Sequence, residues 1–295
     1  MIQLSNTVAT TIAKTEHLQL LKSLGFKEFN IHLLDKTISP QRIKQIVSAE
    51  NIKVTSVHVP FSESDKVLLE NIKDNTAFVF AAMTAELLRG KEMIYLVCHT
   101  ELGKTQVEHP RMLFQLTQDI NSFLSCHPHV ILGIENTMIL NSNTGSVSGS
   151  ALPEYLDLVG FIRQNSDYPD RICAVLDICH AKSTIYSIKQ MTGDWRINLE
   201  SYFAKAKGIC DILHVSNSTG HGYAKSEHGI GYDQSRSDDL LSLNSVIRLY
   251  RKYIPDAKFI YEISEKDYNE RVELKNTMQA ISRLGYDPIN LTKKY

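Results

Sequence analysis

Six residues that can bind a metal ion or move a proton each stand at or next to the end of a short apolar run. They are His58, His99, Glu135, Asp177, His214 and Glu262. Imidazole nitrogens and carboxylate oxygens together suit zinc, manganese or iron. Three carboxylates and three imidazoles are costly to gather in one pocket unless a cation shares it. The residue types therefore predict a divalent metal site, provided that the fold brings the side chains together.

Two further histidines are predicted to reach the same pocket as metal ligands. His180 lies three residues after Asp177, and His228 lies between Glu227 and Gly229 in a later loop. His32 ends another apolar run and is a candidate substrate contact, while the role of His221 stays open. Solvated or hydrogen-bonded roles outside the pocket are predicted for His17, His109, His127 and His129.

The elements that must position these residues alternate along the whole chain. Short β-rich runs predict strands over Ile2–Leu4, Phe29–Leu33, Val54–Val59, Met93–His99, Val130–Glu135, Ile172–Asp177, Ile212–Val215 and Phe259–Ile263. Apolar spacing near 3.6 residues predicts helices over Glu16–Leu24, Pro40–Glu50, Val67–Leu88, Arg111–Leu124, Pro153–Gln164, Leu199–Lys207, Leu241–Tyr253 and Asp267–Leu284. Long loops are predicted over Asn141–Ser150 and Ser216–Asp239.

Eight strand-helix units in 295 residues predict an α/β protein, a (β/α)8 TIM barrel formed by residues 1–295 as a single domain. An open doubly wound sheet usually has fewer strands, and no GxGxxG motif follows a strand. In a closed barrel the carboxyl ends of all strands lie on one face, where barrel active sites are built. The six strand-end residues are therefore expected to converge there.

Composition and missing motifs exclude several classes of function. A net charge of −1 offers no general attraction for nucleic acid.

Met1–Lys14 lacks the pattern of a secretion signal, and no apolar stretch has membrane-span length. A cytoplasmic protein with no membrane partner is therefore expected. Five cysteines without a CxxC pair predict reduced thiols. GxSxG, P-loop and HExxH motifs are absent, and Cys98 and Cys179 point away from their neighbouring histidines.

The motifs resemble those of the xylose-isomerase-like barrels, which include endonuclease IV (AP endonuclease family 2) and sugar isomerases and epimerases. The resemblance covers nearly the whole chain, and Ile-Glu-Asn-Thr at 134–137 and Leu-Asp-Ile-Cys-His-Ala at 176–181 are closest to endonuclease IV. It implies that His58, His99 and Glu135 hold one metal ion. Glu135 would bridge to a second ion, whose other ligands are Asp177, His214 and Glu262, and His180 would help to hold a third. Zinc is the expected metal, with manganese or magnesium as alternatives.

Three positions depart from the endonuclease IV pattern. Ser226 replaces the Asp of an Asp-Arg-His motif that here reads Ser226-Glu227-His228, and Phe61 replaces an expected tyrosine. The loop after the second strand, which brings polar and basic residues to DNA in that family, here reads Leu33-Leu34-Asp35-Lys36-Thr37. These changes affect the third metal and DNA recognition, and they leave the two-metal set intact.

Two enzyme functions follow from this resemblance. The first is a metal-dependent phosphodiesterase acting on abasic-site DNA or a related small phosphodiester, with in-line attack on phosphorus near Glu135. The second is a sugar isomerase or epimerase with one metal ion, in which Glu135 and Glu262 are the catalytic residues that move the proton. A third alternative is a barrel that only binds a ligand. No obligate protein partner is indicated.

Overall fold

Eight parallel strands form a closed barrel in the computed structural model, which describes residues 5–9, 15–33, 38–60, 72, 75–99, 110–138, 151–193, 196–218 and 228–292. The barrel strands are β1 (Ser5–Ala9), β2 (Glu28–His32), β3 (Lys53–His58), β4 (Ile94–His99), β5 (Val130–Glu135), β6 (Ile172–Asp177), β7 (Cys210–Val215) and β10 (Lys258–Tyr261). Their order around the barrel is β1-β10-β7-β6-β5-β4-β3-β2. The predicted TIM barrel is confirmed.

Helices surround the barrel and cover its apolar outer face. Within the described ranges they are Thr15–Ser23, Pro40–Ala49, Thr76–Leu88, Pro110–Cys126, Tyr155–Asn165, Ile178–Thr192, Leu199–Ala206, Ser237–Tyr253 and Val272–Arg283. Local sequence fixes several of their starts: the Ser39 hydroxyl accepts a hydrogen bond from the Arg42 N–H at 3.3 Å, with Pro40 in the first turn. None of these helices is long and apolar enough to cross a membrane.

Several predicted boundaries need correction. Within the described residues the first strand is Ser5–Ala9, which pairs through its backbone with β2 and β10; the strand predicted over Ile2–Leu4 precedes it in the chain. Residues 2–4 and the predicted loop at 141–150 lie outside the described residues. Of the helix predicted over 67–88, the described part begins at Thr76, where the Asn75 side chain caps the backbone N–H groups.

The region after β6 also differs from the prediction. A helix over Ile178–Thr192 was missed, because it begins directly after the strand with no turn residue between them. The predicted loop over 216–239 contains a short antiparallel pair, β8 (Asn217–Ser218) and β9 (His228–Ile230), and the first residues of the helix Ser237–Tyr253.

One layer of the barrel interior lies directly beneath the strand ends. Val97, Val175, Ile212 and Ile260 form a separate buried cluster, and each stands two residues before one of the predicted site residues. Alternate residues of a strand point to the same side, so this cluster forms the apolar floor of the pocket. Gly133 holds the equivalent position on β5, where its missing side chain leaves room for Val175.

Gly133→Ala is expected to lower the free energy of unfolding by about 1–3 kcal/mol, as overpacking of a core does. An added Cβ would meet the Val175 Cγ2 atom at 2.8 Å in this closed floor. Gly160→Ala is the matched control, because nothing lies within 4 Å of its Cβ position in the helix Tyr155–Asn165. It should stabilise the protein by up to about 1 kcal/mol through helix propensity. Urea unfolding measures both, and equal effects would contradict the packing argument.

Candidate metal centre

The strand register places seven titratable side chains in one layer above the apolar floor. Each stands two residues beyond its counterpart in the layer below, on the inward-facing side of its strand. They are His32, His58, His99, Glu135, Asp177, His214 and Glu262. The six residues predicted from the sequence to converge are therefore brought together, and His32 joins them.

The first group of candidate ligands is His58, His99 and Glu135. The Glu135 Oε2 atom lies 3.0 Å from His58 Nε2 and 3.4 Å from His99 Nε2. His58 Nδ1 lies 2.9 Å from the carbonyl oxygen of Val59, to which it can donate a hydrogen bond. That bond would leave Nε2 as the nitrogen that presents a lone pair to the pocket.

The second group is Glu135, Asp177, His214 and Glu262. The His214 Nδ1 atom lies 2.9 Å from Glu135 Oε1 and 2.6 Å from Glu262 Oε2. Within each group one possible ligand atom per residue can be chosen so that all lie within 4.8 Å of one another. Glu135 belongs to both groups, with one carboxylate oxygen toward each.

Burial and mutual charge shift the pKa values of these groups strongly. Burial raises the pKa of Asp177 to about 7 and lowers that of His99 to about 3. Burial opposes charging of His214, but Glu262 and Glu135 outweigh it and hold its pKa well above the usual value. Two carboxylates thus converge on the imidazole of His214, and a bound metal cation would offset their negative charge.

The donor set fits a divalent metal. Asp177 is completely buried, and its Oδ2 atom has no hydrogen-bond partner among the described residues. The same holds for His214 Nε2. A buried carboxylate oxygen without a partner is costly, and metal coordination is a common way to satisfy it. Three histidines and three carboxylates match the ligands of zinc or manganese.

Asn136 orients the second group although no chemistry was predicted for it. Its side-chain oxygen accepts the Asp177 N–H at 2.7 Å, and its Nδ2 donates to the Asp177 carbonyl at 3.0 Å. The carbonyl of Asn136 also lies 2.7 Å from His180 Nδ1, which can donate to it. Asp177 in turn accepts the backbone N–H of His180 at 2.6 Å and caps the helix Ile178–Thr192. Asn136 directly follows the shared ligand Glu135 in the sequence, but its contact with the next strand leaves no local sequence pattern.

His180 lies at the edge of the pocket and belongs to neither group of ligands. Its Nδ1 atom is 3.9 Å from Asp177 Oδ1 and 4.0 Å from Glu135 Oε1. Its ring centre is 5.2 Å from that of His99. The backbone of His228 lies in β9, whereas its side chain, along with His221 and Ser226, lies outside the described residues. A third metal site therefore stays a prediction.

The remaining sequence-based expectations concern residues away from the centre. His129 Nδ1 pairs with Glu86 Oε2 at 3.1 Å on the outside of the barrel, as expected for a residue outside the pocket.

All five cysteines are free, and burial raises the pKa of Cys179 to about 12, which excludes a reactive thiolate there. The Lys182 ammonium donates to Asn217, Tyr232 and Ser242 and is enclosed by them.

Comparisons with solved structures support the fold. The TTHB071 protein from Thermus thermophilus, from a ZnCl2 soak, is 16% identical with a TM-score of 0.60, covering 96% of this chain and 99% of that one. An AP endonuclease of family 2 from Brucella melitensis is 12% identical with a TM-score of 0.56, covering 92% and 96%. A D-psicose 3-epimerase, studied with D-fructose, is 11% identical with a TM-score of 0.55, covering 95% and 98%.

These neighbours share the fold of the chain, and they include the kinds of protein that the predicted resemblance names. Both an AP endonuclease of family 2 and a D-psicose 3-epimerase are among them, so the comparison does not choose a reaction. No family model and no curated protein sequence matches the chain.

Proposed function

We propose that this protein is a divalent-metal-dependent phosphodiesterase whose chemistry resembles that of endonuclease IV. The observation that carries the proposal is the shared carboxylate of Glu135, with Oε2 toward His58 and His99 and Oε1 toward His214. A single-metal isomerase needs only the second group of ligands, so His58 and His99 have no metal to bind in that reaction. Two sites joined by one carboxylate suit the in-line displacement of a phosphodiester.

The two groups of ligands would hold two metal ions, with zinc as the first choice and manganese or magnesium as alternatives. Bound in this way, the metals would supply Lewis acidity for the attacking water and for the leaving oxygen. Glu135 belongs to both groups of ligands, and the Asn136 side chain holds the backbone of Asp177. His99 and Glu262 are 22% and 15% exposed at their side chains, so the pocket opens to substrate on their side.

The substrate class follows from what surrounds the centre. Abasic-site DNA is the substrate implied by the family resemblance, and a small phosphodiester fits the near-neutral charge of the chain better. The Lys182 ammonium donates hydrogen bonds to Asn217, Tyr232 and Ser242 and cannot contact a phosphate without breaking that network. Action in the cytoplasm without an obligate partner is part of the same proposal.

DNA affinity is expected to be weak and steeply dependent on salt. The net charge of −1 gives no attractive field, so any binding depends on a few local phosphate contacts, which release counterions. Binding isotherms on an abasic duplex at about 50 mM and 200 mM salt measure this. Nanomolar binding that barely changes between the two conditions would contradict the expectation and favour a dedicated DNA-binding loop.

A sugar epimerase or isomerase is the second candidate, and one observation favours it. Glu135 and Glu262 lie on either side of His214, each within hydrogen-bond distance of the same Nδ1 atom. Two carboxylates that flank one ligand can remove a proton on one face of a carbon and return one on the other. In this reaction the second group alone would hold the metal.

A paired activity assay separates the two candidates. Protein loaded with Zn²⁺ or Mn²⁺ is given bis(p-nitrophenyl) phosphate, an abasic duplex, and a panel of ketohexoses in parallel. The proposal predicts metal-dependent release of nitrophenol that is lost in the His58→Ala, His99→Ala double variant. Epimerisation of a ketose that survives in this double variant would contradict the phosphodiesterase and support the second candidate.

A further inference from the structure

The layer of site residues contains one histidine, His32, that belongs to neither group of candidate ligands. Its Nε2 atom lies 3.2 Å from Glu262 Oε1. The other oxygen of Glu262, Oε2, lies 2.6 Å from His214 Nδ1. The carboxylate of Glu262 is therefore held between two imidazoles, of which only His214 belongs to a ligand group.

Closure of the barrel creates this contact. His32 ends β2, Glu262 follows β10, and β1 pairs with both strands between them. Two side chains that both point inward from strands on either side of β1 can meet across the pocket. The contact thus joins residues that are 230 positions apart in the chain, 32 and 262.

His32 also contacts the first group of ligands. Its ring lies against that of His58, with centroids 4.6 Å apart and planes inclined by 27°. The side-chain amide of Asn30, in the layer below, lies 3.2 Å from the same Nε2 atom, and it supports a proton on Nε2 only with its oxygen turned toward His32. His32 therefore touches one member of each group, Glu262 in the second and His58 in the first.

We propose that His32 is a positioning residue that orients Glu262 for the second metal site through its Nε2 contact. This inference rests on the proposed function, because it assumes that the second group binds a metal. A hydrogen bond to a ligating carboxylate fixes which oxygen faces the metal, and losing such an outer contact typically lowers metal affinity about 10–100-fold. The ring of His32 also stacks on that of His58, so the effect of the His32 ring and the effect of its Nε2 donor need separate tests.

Two substitutions separate the donor from the ring. His32→Phe keeps a flat ring beside His58 and removes the donor to Glu262. His32→Gln keeps a donor at a similar reach and removes the ring. Zn²⁺ affinity, measured by competition with a chromophoric chelator, should fall at least about 10-fold at one site in the Phe variant and stay close to wild type in the Gln variant. Co²⁺ bound at that site should show a shifted visible spectrum in the Phe variant only.

His129→Phe is the matched control, because it breaks a histidine-glutamate pair outside the barrel. Circular dichroism checks folding, and His32→Leu replaces the Phe variant if that variant does not fold. If the wild-type protein binds two ions and the Phe or Leu variant keeps the wild-type Zn²⁺ affinity, the inference about His32 is wrong and the proposed function still stands. Equal weakening by Phe and Gln also overturns it, since the ring would then be the cause. A wild-type protein without bound Zn²⁺ contradicts both this inference and the proposed function.

Discussion

Glu135→Gln is expected to reduce turnover more than about 100-fold while the barrel stays folded, since even outer-shell changes at metal sites reach that range. The carboxylate faces His58 and His99 with one oxygen and His214 with the other. An amide has only one oxygen, so it cannot offer an anionic ligand to both sites. Activity assays measure the loss, and elemental analysis should show that bound metal falls together with activity.

Glu28→Gln is the matched control for this loss. Glu28 is also buried, only 3% exposed, but it stands at the opposite end of the barrel and pairs with Lys53 at 3.0 Å. Its replacement can cost stability and should leave metal content and turnover unchanged. Circular dichroism and thermal melting show whether both variants keep the barrel. A folded Glu135→Gln protein with near wild-type turnover would show that Glu135 does not bridge two metals.

The double substitution His58→Ala, His99→Ala is expected to remove one metal ion and leave the other. These two histidines supply the first group of ligands, whereas Asp177, His214 and Glu262 stand on the other side of Glu135. Nitrogen ligands bind zinc at about 2.0–2.1 Å, so one ion cannot reach both sets. Phosphodiesterase activity should be lost with the first ion, because in-line displacement then lacks one of the two metal ions that stabilise the attacking and leaving oxygens.

His127→Ala, His129→Ala is the control for this double variant, since both residues lie in the connection between a helix and β5, outside the barrel interior. Metal content per chain and Zn²⁺ affinity are measured on both proteins. If the His58, His99 variant keeps the wild-type number of ions, the first group is not a metal site. Retained epimerase activity in that variant would point to the second candidate function.

The convergence of the site residues was predictable, because it needs only strand ends and barrel closure. Five predicted strands overlap their observed counterparts closely enough to place His58, His99, Glu135, Asp177 and His214 on inward-facing positions. These strands are buried along most of their length, so the prediction came from the position of each residue at a strand end, and a closed barrel puts all carboxyl ends on one face. The grouping into two ligand sets came from the family resemblance, and the distances now support it without testing metal binding itself.

The supporting contacts were not predictable from the sequence. The Asn136 clamp depends on the backbone of Asp177 in the next strand, and the His32 contact with Glu262 depends on two strands that meet across β1. Neither relation leaves a local pattern. The helix Ile178–Thr192 was missed for a different reason: its apolar first residues continue the run of β6, and Asp177 acts as both strand end and helix cap.

The metal content of the wild-type protein tests the central claim most directly. Protein purified without chelator, then dialysed with a small excess of Zn²⁺ and freed of unbound ions, is analysed for metal per chain. The shared carboxylate of Glu135 between two ligand groups predicts two ions per chain. A content of one ion, unchanged by His58→Ala and His99→Ala, would contradict the two-metal centre and with it the proposed phosphodiesterase.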